Sequence, residues 1–387
     1  MGKRAAQGGG TIRQRPDGRW EARFTVGRDP GTGKQIQKSV YGATQQEVRK
    51  KLTQAVTALD NGDYQEPNKM TVGQWLDIWL EDYQGEVKPR TKELYQQQVD
   101  YYIRPALGAV GLQNLRTHAI QSFYNSLLKP RGEKKPLSAK SLKNIHGIIH
   151  RALQQAVEIG YLKSNPSDAC KLPRVQRKPI KPLDEKEIRL FLKAIEGTRY
   201  EAIMIVDLFT GLREGEVVGL MWDCIDFENG TICIDKQVQS KKGGGYRIIP
   251  PKNGKSRIIT PAPTVMAVLR QQRKDQIEKR LRAGALWKDT GFVFTNEIGE
   301  HFGPAAVYKS FKKIVSSIGI PEARFHDLRH SFAVLSLQAG DDIKTVQENM
   351  GHHTAAFTLD VYGHVTEQMK RESAARMENY IKGVKNL

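Results

Sequence analysis

The 387-residue chain predicts a multidomain α+β fold: a small β-sheet-plus-helix domain at the N-terminus, an all-α domain, and a mainly α domain with a small antiparallel β-sheet. Three observations predict it. Apolar and polar residues alternate, between turn signals, up to about Tyr41. Helical periodicity with capping residues then takes over. Two stretches, one polar (60–68) and one punctuated by prolines (173–182), interrupt that pattern. The expected domains are 1–66, 70–172 and 183–387, with 173–182 as a linker that its three prolines keep from being helical throughout.

In the first domain, residues 11–15, 19–26 and 35–41 read as strands. Pro16-Asp17-Gly18 supplies a hairpin turn, and Asp29-Pro30-Gly31-Thr32-Gly33 a longer one. Thr44 is placed to cap a helix on which Val48, Leu52, Ala55, Val56 and Leu59 form one apolar stripe, enough to cover one face of the sheet. The other face stays open. Basic residues at 3, 4, 13, 15, 19, 23, 28, 34 and 38 outnumber Asp17, Glu21 and Asp29. A basic face offering Trp20, Phe24 or Tyr41 is therefore expected to enter a DNA groove, with a merely solvated face as the alternative.

The second domain opens at Thr71, followed by Val72, Trp75, Leu76, Trp79 and Leu80 on one helical face. Further amphipathic helices fit 89–102, 117–128 and 138–159, with Thr117 and Ser138 where N-caps belong. Lys88, Arg90, Lys92, Lys134, Lys135, Lys140 and Lys143 cluster near helix starts, where backbone N–H groups already favour phosphate. The third domain begins with a helix entered at Leu183-Asp184. It continues through short strands near 231–236, 247–249 and 256–260 and ends in a helix from about 367 to 384.

A formal charge of +19 and a pI near 9.7 call for a polyanionic partner. No apolar run approaches the roughly 20 residues of a membrane span, and no apolar signal core follows Met1, so a cytoplasmic protein without a membrane partner is expected. Cys170, Cys224 and Cys233 form no Cys-x-x-Cys pair and are expected to be reduced and structural.

The chemistry is carried by residues spread over the last half: Arg213 in Thr210-Gly-Leu-Arg-Glu-Gly-Glu216, Lys252, His326 and Arg329 in His326-Asp-Leu-Arg-His330, His352 in Gly351-His-His353, and Tyr362. Breaking a phosphodiester without a metal or cofactor requires a nucleophile, cations on the non-bridging oxygens and an acid for the leaving oxygen. Tyr362 offers a phenol, Arg213 and Arg329 planar forks, and Lys252 a proton for the 5′ oxygen; His326 and His352 can take the tyrosine proton or hydrogen-bond the phosphate. Each residue taken singly has an ordinary structural reading. Arg213 and Glu216 read as an i, i+3 helix pair worth roughly 0.2 to 0.5 kcal/mol, and His326 with His330 has the spacing of a zinc pair but lacks the intervening glutamate.

In their order along the chain these motifs resemble the tyrosine recombinases, the phage-type and conjugative-transposon integrases. The resemblance implies a site-specific recombinase that works through a 3′-phosphotyrosyl link and a Holliday junction. It implies double-stranded DNA with core-type and arm-type sites as partner, a homotetramer on two DNA sites, and DNA-bending or directionality accessory proteins. It makes 1–66 an arm-binding domain and 70–172 a core-binding domain. Arg213 and Arg329 become the clamp, His326 and His352 the box histidines, and Tyr362 the nucleophile. Lys252 matches the family's hairpin lysine by its spacing from Ser256 and Arg257, with Asn253 where the family usually has Thr; Lys255 is its rival. A type IB topoisomerase, a catalytically silent DNA-binding regulator and a metal-dependent nuclease are the competing readings.

Overall fold

The structure is a computed structural model and describes residues 10–61, 64, 68–130, 132, 135–176, 181–241, 244–351 and 367–385. The chain divides into two compact units, Met1–Arg177 and Lys178–Leu387. Among the described residues no helix is long and apolar enough to cross a membrane.

The first unit contains two separate apolar clusters. In one, strands β1 (Thr11–Gln14), β2 (Trp20–Arg28) and β3 (Gln35–Gly42) pair antiparallel in the order β1-β2-β3. Helix α1 (Gln45–Asp60) covers one face, its first turn capped by the Thr44 hydroxyl, which accepts from the Glu47 N–H. The register fixes sidedness. Ala22 and Phe24 are buried against Val48 and Leu52, and Trp20 packs against the same cluster. Phe24 is thus unavailable to a ligand, contrary to the expectation. Tyr41 pairs with Glu21 across β2 and β3, so it lies on the opposite face, beneath the Arg15 guanidinium. On that face Arg13, Arg23 and Ser39 converge on Glu21 and, led by Arg13, hold its carboxyl down at about 2.

The second cluster is all helical: α2 (Val72–Asp82), α3 (Pro89–Gln98), α4 (Arg104–Leu107), α5 (Thr117–Leu127) and α6 (Ala139–Glu158). Trp75 ties α2 to α6 through an indole N–H that donates to the Ala152 carbonyl at 2.7 Å. α3 and α4 are joined by a π-helical turn, Val99–Ile103. Pro105 accounts for it: proline has no N–H for the carbonyl four residues back, and its ring needs the wider turn. Ser138 caps α6. Thr117 does not cap α5; it is the helix's first residue, and its hydroxyl donates to the Pro166 carbonyl.

In the second unit, α7 (Glu185–Ile195) starts with a capping box at Asp184 and is followed by α8 (Glu201–Thr210) and α9 (Glu214–Val218). The β-structure is a three-stranded antiparallel sheet of β4 (Ile225–Asp226), β5 (Thr231–Ile234) and β8 (Arg257–Ile259), plus a separate hairpin of β6 (Gln237–Ser240) and β7 (Tyr246–Ile249). Helices α10 (Pro263–Ala283), α11 (Pro304–Ser317), α12 (Phe325–Gln338), α13 (Ile343–Met350) and α14 (Glu367–Lys385) complete it. One apolar core, including Phe191, Phe294, Phe311 and Phe325, runs beneath α7, α11 and the start of α12 and fixes the elements that bear the candidate site.

Candidate active site

The site is built at the C-terminal end of α13. A helix leaves its last carbonyls without intrahelical donors and carries partial negative charge there. Three guanidiniums from three other elements meet that need. Arg257, at the start of β8, donates from Nε to the Asn349 carbonyl at 2.8 Å. Arg329, buried in α12, donates to the Met350 carbonyl and, at the far side, to the Gly211 carbonyl. Arg213, the N-cap of α9, donates from Nη2 to the Gly351 carbonyl at 2.8 Å.

Glu216 holds two of these arginines from below. Its buried carboxylate pairs with Arg213 Nη1 at 2.8 Å and with Arg257 Nη2 at 2.7 Å. Burial by itself would raise its pKa. The hydrogen bonds and charge of Arg257, with those of Arg213, outweigh burial and bring it to about 2. The carboxylate therefore stays ionised at neutral pH, and the two forks keep a fixed orientation.

Two glycines make the approach possible. Gly211 ends α8 in the left-handed region (φ 61°), and a Cβ there would overlap the Phe332 ring. Gly351 ends α13 at φ 62°, where a Cβ would lie 3.0 Å from Arg257 Nη1.

His326 stands in the first turn of α12, three residues before Arg329 and so on the same side of the helix. Desolvation, then repulsion from Arg329, Arg324 and Arg213 against attraction from Asp327, depresses it to about 4, although part of the ring remains open to water. It is neutral at pH 7. His330 lies beside it, ring centroids 4.8 Å apart, and is depressed to about 4 for the same leading reason, burial.

Lys252 is exposed on the turn between β7 and β8, which closes through the Gly254 N–H on the Pro251 carbonyl at 2.8 Å. Asn253 of this turn donates to the Gly351 carbonyl at 3.3 Å, the same oxygen that Arg213 uses. The turn bearing Lys252 is thereby fastened to the arginine cluster. Lys255 follows directly and is also exposed. His352 and Tyr362 lie outside the described residues. Among the described residues no group of three or more His, Cys, Asp or Glu is placed to hold a metal ion.

Known proteins are similar to this chain in sequence and architecture. Residues 181–369 match the Phage integrase family, and residues 71–128 match the Phage integrase, N-terminal SAM-like domain. A "Tyrosine recombinase XerC-like" protein of Caldanaerobacter subterraneus subsp. tengcongensis is 29% identical over 375 residues, covering 92% of this chain and 94% of its own. The chain belongs to the phage integrase family. An "Integrase" of Streptomyces ambofaciens is 28% identical over 395 residues, covering 99% of each chain. The Tn1549 transposon integrase, solved in complex with transposon right end DNA, superposes with a TM-score of 0.67 at 25% identity, over 80% of this chain and 100% of that one. As a tyrosine recombinase, this chain is a site-specific DNA recombinase of the kind that serves mobile-element integration.

In this recombinase two residues coupled to the arginine cluster, Arg257 and Asp207, fall outside the sequence motifs. Arg257 served only as a spacing marker for Lys252, although a lone arginine starting an apolar strand is itself a signal of a buried partner. Asp207, in the apolar run of α8, is buried, and one of its carboxyl oxygens has no hydrogen-bond partner among the described residues. Burial raises its pKa well above the usual range, against the pull of Arg329. A solitary acid inside an apolar helix was the visible sign.

Proposed function

We propose that this recombinase cuts and rejoins duplex DNA in the cytoplasm through a 3′-phosphotyrosyl intermediate on Tyr362, integrating and excising a mobile element or prophage. The observation that carries this reading is the convergence of Arg213, Arg329 and Arg257 on the carbonyls 349–351, immediately before the segment that bears His352 and Tyr362.

Arg213 and Arg329 hold the non-bridging oxygens of the scissile phosphate, whose charge grows in the transition state. The Tyr362 oxygen attacks phosphorus, the bond to the 5′ oxygen breaks, and Lys252 gives that oxygen a proton. His326, neutral at pH 7, and His352 accept the phenol proton or donate hydrogen bonds to the phosphate. The 5′ hydroxyl of a partner strand then attacks the phosphotyrosine, releases Tyr362 and forms a Holliday junction. Four protomers on two DNA sites supply the partner strands, with DNA-bending or directionality proteins as accessories. The helical domain grips core-type sites, and the N-terminal sheet, through the face bearing Tyr41 and Arg15, binds arm-type sites.

The test is covalent trapping in EDTA on a nicked suicide duplex carrying the element-end DNA beside the gene. Wild type should give a slow-migrating protein-DNA band on a denaturing gel, and Tyr362→Phe should bind the duplex yet give none. A band of undiminished strength from Tyr362→Phe would remove Tyr362 as nucleophile. Resealing of only the original strand would shift the reading to a topoisomerase.

A further inference from the structure

Between α3 and α6 lies a groove of about 430 Å³. Lys140, Lys143, Asn144, Gly147 and Arg151 of α6 line it at spacings that put them on one side of the helix, and Tyr95 of α3 faces them. Two features set this surface apart from an ordinary solvated charged face. Arg151 is held in one orientation: its Nε donates to the Gly147 carbonyl at 3.0 Å, and its guanidinium lies 5.0 Å over the Tyr95 ring, which is itself stacked on Trp79. Although exposed, this arginine has two partners that bias it toward one orientation.

The second feature is Gly147 itself. It sits in the interior of a 20-residue helix, where only proline is less favourable. Packing does not require it, because a Cβ there would meet only the Arg151 Nη2 at 4.0 Å. What the missing side chain does is open the floor of the groove to close approach.

We propose that this groove reads base pairs of duplex DNA, with Arg151 recognising a guanine and Asn144 a neighbouring base, while Lys140 and Lys143 hold phosphates. The inference rests on the recombinase reading and deepens it by naming side chains that set site preference. A planar fork fixed in orientation matches guanine O6 and N7 in the major groove, and an asparagine amide supplies the donor and acceptor that adenine requires. Lysines act as point charges and position the helix without carrying sequence information. Gly147 lets the base edges come within reach of both readers.

The experiment selects binders from duplexes with a randomised centre, using the full-length protein. Wild type should enrich a motif containing a guanine. Arg151→Lys keeps the charge but loses the fork, and should flatten preference at that guanine by about tenfold while leaving the salt dependence unchanged. Asn144→Ala should flatten an adjacent position. Lys143→Ala should weaken all sequences equally and lower the salt slope. Gly147→Ala should melt at a higher temperature than wild type and yet bind the selected motif more weakly, a pairing that helix stabilisation alone does not produce.

The proposal is overturned if Arg151→Lys and Asn144→Ala both enrich the wild-type motif with unchanged preferences. It is equally overturned if they lose every sequence alike, as a phosphate-only surface would. A wild-type protein that enriches no motif and forms no Tyr362-dependent adduct would overturn the recombinase reading as well; a motif untouched by these variants overturns the groove alone.

Discussion

Replacing Glu216 with glutamine tests the foundation of the arginine cluster. The carboxylate is fully buried and pairs with both Arg213 and Arg257, whose side chains are 20% and 11% exposed. Breaking a buried pair by removing one partner costs about 3 to 5 kcal/mol, because the remaining charge stays desolvated. An independent route agrees: a carboxyl held at about 2 instead of 4.5 contributes about 3 kcal/mol at neutral pH. For a unit the size of Lys178–Leu387, that loss lowers the melting temperature by about 10 °C. The folded value lies below the unfolded one, so the contribution is complete above about pH 4.5 and disappears as the pH falls toward 2. Calorimetry of the full chain, following the transition of this unit, should show the whole difference between wild type and Glu216→Gln at pH 7 and a shrinking one below pH 4.5. Identical transitions at pH 7, or a gap that does not narrow in acid, would refute the reasoning.

Three further outcomes are expected. Gly211→Ala forces a side chain into left-handed backbone and into the Phe332 ring, and should cost at least about 2 kcal/mol in a denaturation experiment; adding Phe332→Ala should recover the steric part only. His326, held at about 4, should show no NMR titration near pH 6.5, and stability should fall as the pH drops from about 6.5 to about 4, where the unfolded chain binds the proton first; a midpoint near 6.5 would contradict this. Lys252→Ala should abolish adduct formation on a normal phosphodiester but recover it on a substrate with a 5′-bridging sulfur, which leaves without a proton, whereas Lys255→Ala should need no such help. The opposite pattern would assign the acid to Lys255.

What the sequence made legible was local. Thr44, Ser138 and Asp184 announce their helices because a cap acts on N–H groups within three residues of itself. Arg213 and Arg329 stand out for the same reason, inside short motifs. Sidedness and long-range pairing were not visible. Trp20 and Phe24 alternate correctly along β2, yet only the register with β3 reveals that Tyr41 faces away from them. Glu216 looked like a surface helix partner of Arg213. Its burial and its second partner depend on Arg257, 41 positions further along the chain, which no local spacing reports. Pro105 marked a disturbance but did not say that the helix would pass through it by a π-helical turn.

The three arginines grip main-chain oxygens, and this determines which kinds of change the site can survive. A substitution in α13 leaves a carbonyl where it was, so the carbonyl anchors place few demands on residue identity at 349 and 350. Helix length is another matter. Inserting or deleting one residue between Asp342 and Gly351 turns every later carbonyl by about 100° around the axis, and Arg213, Arg257 and Arg329 would each lose an acceptor at once. The information that positions the cluster is thus written in a residue count, tolerant of spelling and intolerant of frame, and a scan of point mutants along α13 would pass over it.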